Sequence, residues 1–89
     1  MDAAAKKNHD LLIIDGDHTY AGIKNDFEFY APLVKRRGFI VFDDYGTDDW
    51  PDVKVYVDKE IAINPNLAIV GHEWRTAVYR VVRQLKRGA

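Results

Sequence analysis

The sequence predicts a small α/β domain in the order β-α-β-α-β-β, with a mostly parallel sheet. Three observations carry this. Two apolar runs, Leu11-Leu12-Ile13-Ile14 and Phe39-Ile40-Val41-Phe42, are long enough for strands buried on both faces. Each is followed by a stretch of helical period. Two further strands near the end are joined by a link too short for a parallel crossover, which makes them an antiparallel pair. With 89 residues there is room for one domain.

Taken in order, the first strand stops at Asp15-Gly16-Asp17, where turn-forming residues take over. Tyr20, Ile23, Phe27, Tyr30 and Val34 then recur at three- and four-residue spacing, with Lys24, Asp26 and Glu28 between them, so an amphipathic helix begins near Tyr20. It ends between Tyr30 and Lys35, a boundary that Pro32 blurs, and Lys35-Arg36-Arg37-Gly38 reads as a solvated helix terminus with the cations and glycine such an end favours. After the second strand, Pro51 is well placed in the first turn of a second helix. Asp48, Asp49 and Asp52 suit the same helix start, Val53, Tyr56, Val57 and Ile61 form its apolar stripe, and Asn64-Pro65-Asn66 ends it. Leu67-Ala68-Ile69-Val70 and residues 76–82 supply the closing strands, and the basic residues 83–89 read, like residues 1–9, as a flexible end.

Composition narrows the function. Thirteen Lys+Arg against 14 Asp+Glu leave a net charge of −1, which argues against nucleic acid as a partner. The absence of cysteine excludes thiol nucleophiles, disulfides and zinc ribbons. No apolar run approaches the roughly 18 residues of a membrane span and none resembles a signal peptide, so a cytoplasmic protein without a membrane partner is expected. If both crossovers are right-handed and the sheet grows in one direction, the two helices share one face and leave the other, equally apolar, uncovered. A second copy is the expected cover, which predicts a homodimer.

In open α/β sheets, ligands gather beyond the carboxyl ends of the parallel strands. Asp15, Asp17 and His18 follow the first strand and Asp43-Asp44 the second, so up to four carboxylates and an imidazole meet at adjacent tips. Carboxylate oxygens in that number suit a hard divalent cation such as Mg²⁺, and His18 is placed as a nearby base. The plainer alternative is that these residues start turns, with Asp17 or His18 capping the helix that follows. His9 and His72 read as surface or loop histidines, and Trp50 and Trp74 as packing residues.

Several segments together carry a resemblance: Asp10-Leu11-Leu12-Ile13-Ile14-Asp15-Gly16-Asp17-His18-Thr19-Tyr20, then Asp26-Phe27 and Tyr30, Gly38-Phe39-Ile40-Val41-Phe42-Asp43-Asp44-Tyr45, Val53-Lys54 and Val57-Asp58. Over residues 10–82 the chain resembles the second half of class I S-adenosylmethionine-dependent methyltransferases, nearest to the metal-dependent sugar and catechol O-methyltransferase branch. The resemblance implies a partial Rossmann-like sheet whose last strand is inserted beside the second. It also implies S-adenosylmethionine and a divalent cation as cofactors, Asp15, Asp43 and Asp44 as metal ligands, His18 as general base, and a small-molecule hydroxyl acceptor.

The glycines, at positions 16, 22, 38, 46, 71 and 88, form none of the Gly-x-Gly clusters with which that family's first half approaches its cofactor. The cofactor-binding residues therefore stay unassigned. The expectation is a methyltransferase half-fold whose chemistry needs completion by a partner or a second copy, or else a non-catalytic truncated fold that dimerises. A lesser alternative is a haloacid-dehalogenase-like phosphatase, since Asp15-Gly16-Asp17-His18-Thr19 and Asp43-Asp44 each follow an apolar strand. Only 28 residues separate Asp15 from Asp43 (43 − 15), too few for that family's intervening motifs.

Overall fold

The computed structural model describes residues 9–15 and 19–86. Strand β1 (His9–Ile14) leads to helix α1 (Tyr20–Tyr30), and strand β2 (Val34–Asp43) follows a 3₁₀ turn at Ala31–Leu33. Helix α2 (Pro51–Tyr56) continues into a π-helical turn (Val57–Ile61), and strands β3 (Leu67–Glu73) and β4 (Thr76–Val81) follow. The four strands lie in the order β1-β2-β4-β3.

The element order is the expected one, but the sheet is not mostly parallel. Only β1 and β2 pair in parallel, while β4 pairs antiparallel with both β2 and β3. The cause is position: one strand runs against the other three, and because it lies inside the sheet it contributes two antiparallel ladders. A β3-β4 link of two residues, Trp74 and Arg75, leaves no other geometry.

Both helices lie on one face of the sheet. Ile23 and Phe27 of α1 and Val53, Tyr56, Val57 and Ile61 join Leu12, Ile14, Ile40, Phe42, Ala77, Tyr79 and Val81 in one buried cluster. The Phe27 ring stands 6.2 Å from Phe42 and from Tyr56, tying α1 to the sheet and to α2. Alternate residues point the other way, and on that face Leu11 is 51% exposed and Ile13 and Phe39 are each 38% exposed.

Helix α1 ends at Tyr30, at the near limit of the expected range, and not at Lys35. Pro32 has no N–H to continue the ladder, so the chain tightens into the 3₁₀ turn and Val34 enters the core as the first residue of β2. Lys35-Arg36-Arg37-Gly38 is thus an irregular part of β2 rather than a helix terminus. Between His9 and Leu11 the pairing advances two residues on β1 but five on β2, from Val34 to Phe39. Arg37 takes a left-handed φ of 80° within this bulge, and Lys35 reaches Asp10 at 2.7 Å.

Beyond β4 the chain returns to the core. Leu85 is buried, and the Gln84 amide donates to the Pro32 and Val34 carbonyl oxygens at 3.2 and 3.0 Å.

Candidate functional site

The parallel pairing of β1 with β2 places Ile14 opposite Phe42, so the residues that follow, Asp15 and Asp43, come side by side at the carboxyl tips. Asp44 is the next residue and adopts a left-handed φ of 61°, turning the chain out of the strand. One carboxylate oxygen from each of Asp15, Asp43 and Asp44 lies within 4.8 Å of the others. Asp15 is exposed and the other two are half-buried. Such a group of oxygen donors suits a hard divalent cation, which accepts carboxylates together with water or substrate oxygens.

The surrounding bonds hold the Asp43-Asp44 corner in shape. The Asp44 N–H donates to Asp43 Oδ1 at 3.0 Å, and the Thr47 hydroxyl donates to the Asp44 carbonyl at 3.2 Å. Arg75, at the tip of the β3-β4 hairpin, places a guanidinium nitrogen 2.8 Å from Asp44 Oδ1. The Tyr45 N–H in turn donates to the Arg75 carbonyl at 3.0 Å, so hairpin and corner are joined through both side chain and backbone.

A second polar group flanks this corner. The Tyr45 hydroxyl donates to Asp58 Oδ1 at 2.7 Å, and Lys54 pairs with the same carboxylate. Burial, reinforced by the bond to Asp58, pushes the Tyr45 hydroxyl above its ordinary range. Burial alone would raise Asp58, but the hydrogen bonds from Lys54 and Tyr45 outweigh it and hold the carboxyl below its usual range. His72 stands edge-on to the Tyr45 ring at 4.5 Å, and its Nε2 lies 3.2 Å from the Trp74 carbonyl oxygen.

The metal-ligand candidates Asp15, Asp43 and Asp44 therefore meet at one place. His18, the candidate base, and Asp17 lie outside the described residues. The N-cap of α1 is Thr19, whose Oγ1 accepts the Gly22 N–H at 3.1 Å. Asp52 serves both helices: it sits in the first turn of α2, and its Oδ2 accepts the Tyr20 N–H at 3.1 Å. The two tryptophans are not core residues, since Trp50 is 44% and Trp74 86% exposed. Arg75 is the residue that sequence reading leaves unassigned; the signal that marks it is its place at the tip of a tight hairpin whose returning strand, starting at Thr76, pairs with Asp43.

A recess of about 560 Å³ lies elsewhere, between the end of α1 and the segment after β4, lined by Phe27, Pro32, Asn66, Arg83 and Leu85 among others. The Leu67–Val81 pairing puts it at the opposite end of the sheet from the carboxylates. No helix among the described residues is long and apolar enough to cross a membrane.

The chain is a small α/β protein with a mixed four-stranded sheet, consistent with a partial Rossmann-like fold, and it carries clustered carboxylates at its parallel strand tips. The model of the family described as "Methyltransferase domain" matches residues 1–45, and the chain belongs to that family. It is also similar to the uncharacterized protein R132 of Acanthamoeba polyphaga mimivirus, with 48% identity over 54 residues that cover 60% of this chain and 24% of that protein. The chain thus spans about a quarter of the length of the curated relative it matches. The family match gives no support to the phosphatase alternative.

Proposed function

We propose that this chain supplies the acidic half of a divalent-metal-dependent O-methyltransferase of the sugar and catechol type, acting on a small-molecule hydroxyl and completed by a second copy of itself. The observation that carries this reading is the convergence of Asp15, Asp43 and Asp44 within 4.8 Å at the tips of two parallel strands. The donor set fits the cation: oxygen ligands only, with Asp15 open to solvent so that water or an acceptor oxygen can complete the shell.

A divalent cation bound there would lower the pKa of an acceptor hydroxyl and neutralise its developing charge. The chain's own part is to orient that hydroxyl and accept its proton. Asp43, held by the Asp44 N–H, and Asp44, held by Arg75, are fixed donors, whereas exposed Asp15 is free to adjust. His18, three residues after Asp15, is the proposed proton acceptor, imidazole being the side chain suited to general-base work near neutral pH. The fit to S-adenosylmethionine is incomplete, because the sequence has no glycine cluster through which backbone approaches the cofactor.

The uncovered sheet face supports the second copy. Leu11, Ile13 and Phe39 lie exposed on one side, where a core layer would otherwise cover them. Those same residues also favour the second reading, a non-catalytic methyltransferase fold that dimerises. Calorimetric titration of S-adenosylmethionine, with and without Mg²⁺, into the chain and into Asp15→Ala separates the two. Saturable, Mg²⁺-dependent binding lost in Asp15→Ala is the expected result, and absence of heat at millimolar ligand would leave only the non-catalytic fold.

A further inference from the structure

We propose that the recess between the end of α1 and the segment after β4 binds a small organic anion, an apolar body carrying a carboxylate or a phosphate monoester, with Arg83 and Lys86 as its counter-charges. The recess lies at the opposite end of the sheet from the Asp15–Asp43–Asp44 cluster and does not depend on the chemistry proposed there.

Both walls of the recess are pinned by hydrogen bonds. On one side the Gln84 amide donates to the Pro32 and Val34 carbonyl oxygens at 3.2 and 3.0 Å, and Leu85 is buried beside it. On the other, the Asn66 carbonyl accepts the Val82 and Arg83 N–H groups at 2.9 and 3.3 Å, and the Asn66 N–H donates to Asn64 Oδ1 at 2.9 Å. The backbone that carries Arg83 is thereby fixed. The volume of about 560 Å³ falls within the roughly 300–1,000 Å³ of small-molecule sites. Phe27, Ala31, Pro32 and Leu85 supply apolar surface, and Arg83 and Lys86 are the exposed cations of the lining. Charge decides which ligand fits. Lys24, Lys35, Lys54 and Arg75 each have a carboxylate partner, whereas Arg83 and Lys86 have none among the described residues. Glu28, the acid of the lining, is already engaged by Lys24 at 2.6 Å. The recess is left with an excess of positive charge beside an apolar wall. A neutral ligand would leave both cations unused, and an inorganic anion would leave the apolar wall bare. The complement is an anion with an apolar body, and the planar guanidinium of Arg83 matches either a carboxylate or a phosphate.

The test follows the backbone N–H groups of Asn66, Arg83 and Leu85 by NMR while benzoate, phenyl phosphate or the uncharged benzyl alcohol is added. The same titrations are run on Arg83→Gln, on Lys86→Gln and on Lys35→Gln, whose cation lies outside the recess and pairs with Asp10. All three side chains are exposed, so the variants are expected to fold as the parent does. The expected result is saturable binding of at least one anion, with benzyl alcohol about tenfold weaker. Arg83→Gln and Lys86→Gln should each weaken the anion about fivefold, and Lys35→Gln should change it by less than about twofold. The tighter of the two anions assigns the head group as carboxylate or phosphate. No binding of either anion, binding of benzyl alcohol as tight as theirs, undiminished binding in both Arg83→Gln and Lys86→Gln, or an equal loss in Lys35→Gln overturns the site.

Discussion

The guanidinium of Arg75 lies 2.8 Å from the carboxylate of Asp44, 31 residues away in sequence, and so sets a fixed positive charge beside the three clustered carboxylates. The pair has two effects. It steadies the Asp43-Asp44 corner, and it competes with any cation for one of the ligands. Because the Arg75 side chain is 42% exposed, solvent screens most of its field.

Competition sets the sign of the first prediction. Replacing Arg75 with Gln removes the charge and keeps a hydrogen-bond donor, so Mg²⁺ affinity is expected to rise about fivefold, from roughly 1 kcal/mol of relieved repulsion at a solvated site. Calorimetric titration of Mg²⁺ checks it. A fall in affinity would mean that Arg75 serves chiefly to shape Asp44, not to oppose the cation.

Gly38 is the next case, and its constraint is spatial. A Cβ there would lie 2.6 Å from Val34 Cγ1 and 2.9 Å from the carbonyl oxygens of Asp10 and Lys35. Two of those three atoms are backbone and cannot swing aside. Gly38→Ala is expected to cost about 1–3 kcal/mol by overpacking, read from urea unfolding. Gly46→Ala, in open space but at φ 83°, should cost about 1 kcal/mol through backbone strain alone.

The contrast between these glycines shows what was legible in the sequence and what was not. Leu12, Ile14, Ile40 and Phe42 announce buried strands by simple apolarity, and Ile23, Phe27, Val53 and Val57 announce helices by period. Asp15 and Asp43 could be brought together on paper because parallel neighbours align their tips. Gly38 misled, because a glycine after three cations looks like a helix end, and only the β1-β2 register reveals a bulge. Arg75 and Asp52 act across long stretches of chain, on Asp44 and on the Tyr20 N–H, and such contacts leave no local pattern. The inserted last strand that the resemblance implies is present, but the expectation of a mostly parallel sheet fails because that one strand makes two of the three ladders antiparallel.

The bare sheet face yields a prediction on assembly. Sedimentation velocity at micromolar concentration is expected to find a dimer. Leu11→Lys combined with Phe39→Lys should shift it to monomer without unfolding it, since both side chains are already substantially exposed in the single chain. A monomeric parent chain would remove the second copy from the proposed function.

Alkaline pH tests the helix-covered face instead. Tyr56 is 2% exposed, and burial, assisted by the negative charges of Glu28 and Glu60, raises its hydroxyl well above the ordinary tyrosine range. Tyr79 is raised in the same direction, also chiefly by burial. A folded pKa above the unfolded one means that the folded state keeps a proton the unfolded chain releases. The stability is therefore fully present below about pH 10 and is lost as pH climbs beyond it. Tyr56→Phe keeps the ring contacts with Tyr20 and Phe27 and removes the titrating group. Its stability at pH 7 should stay within about 1 kcal/mol of the parent. Its alkaline unfolding midpoint, followed by circular dichroism, should move to higher pH, and an unchanged midpoint would place the alkaline weakness in Tyr79 or Tyr45.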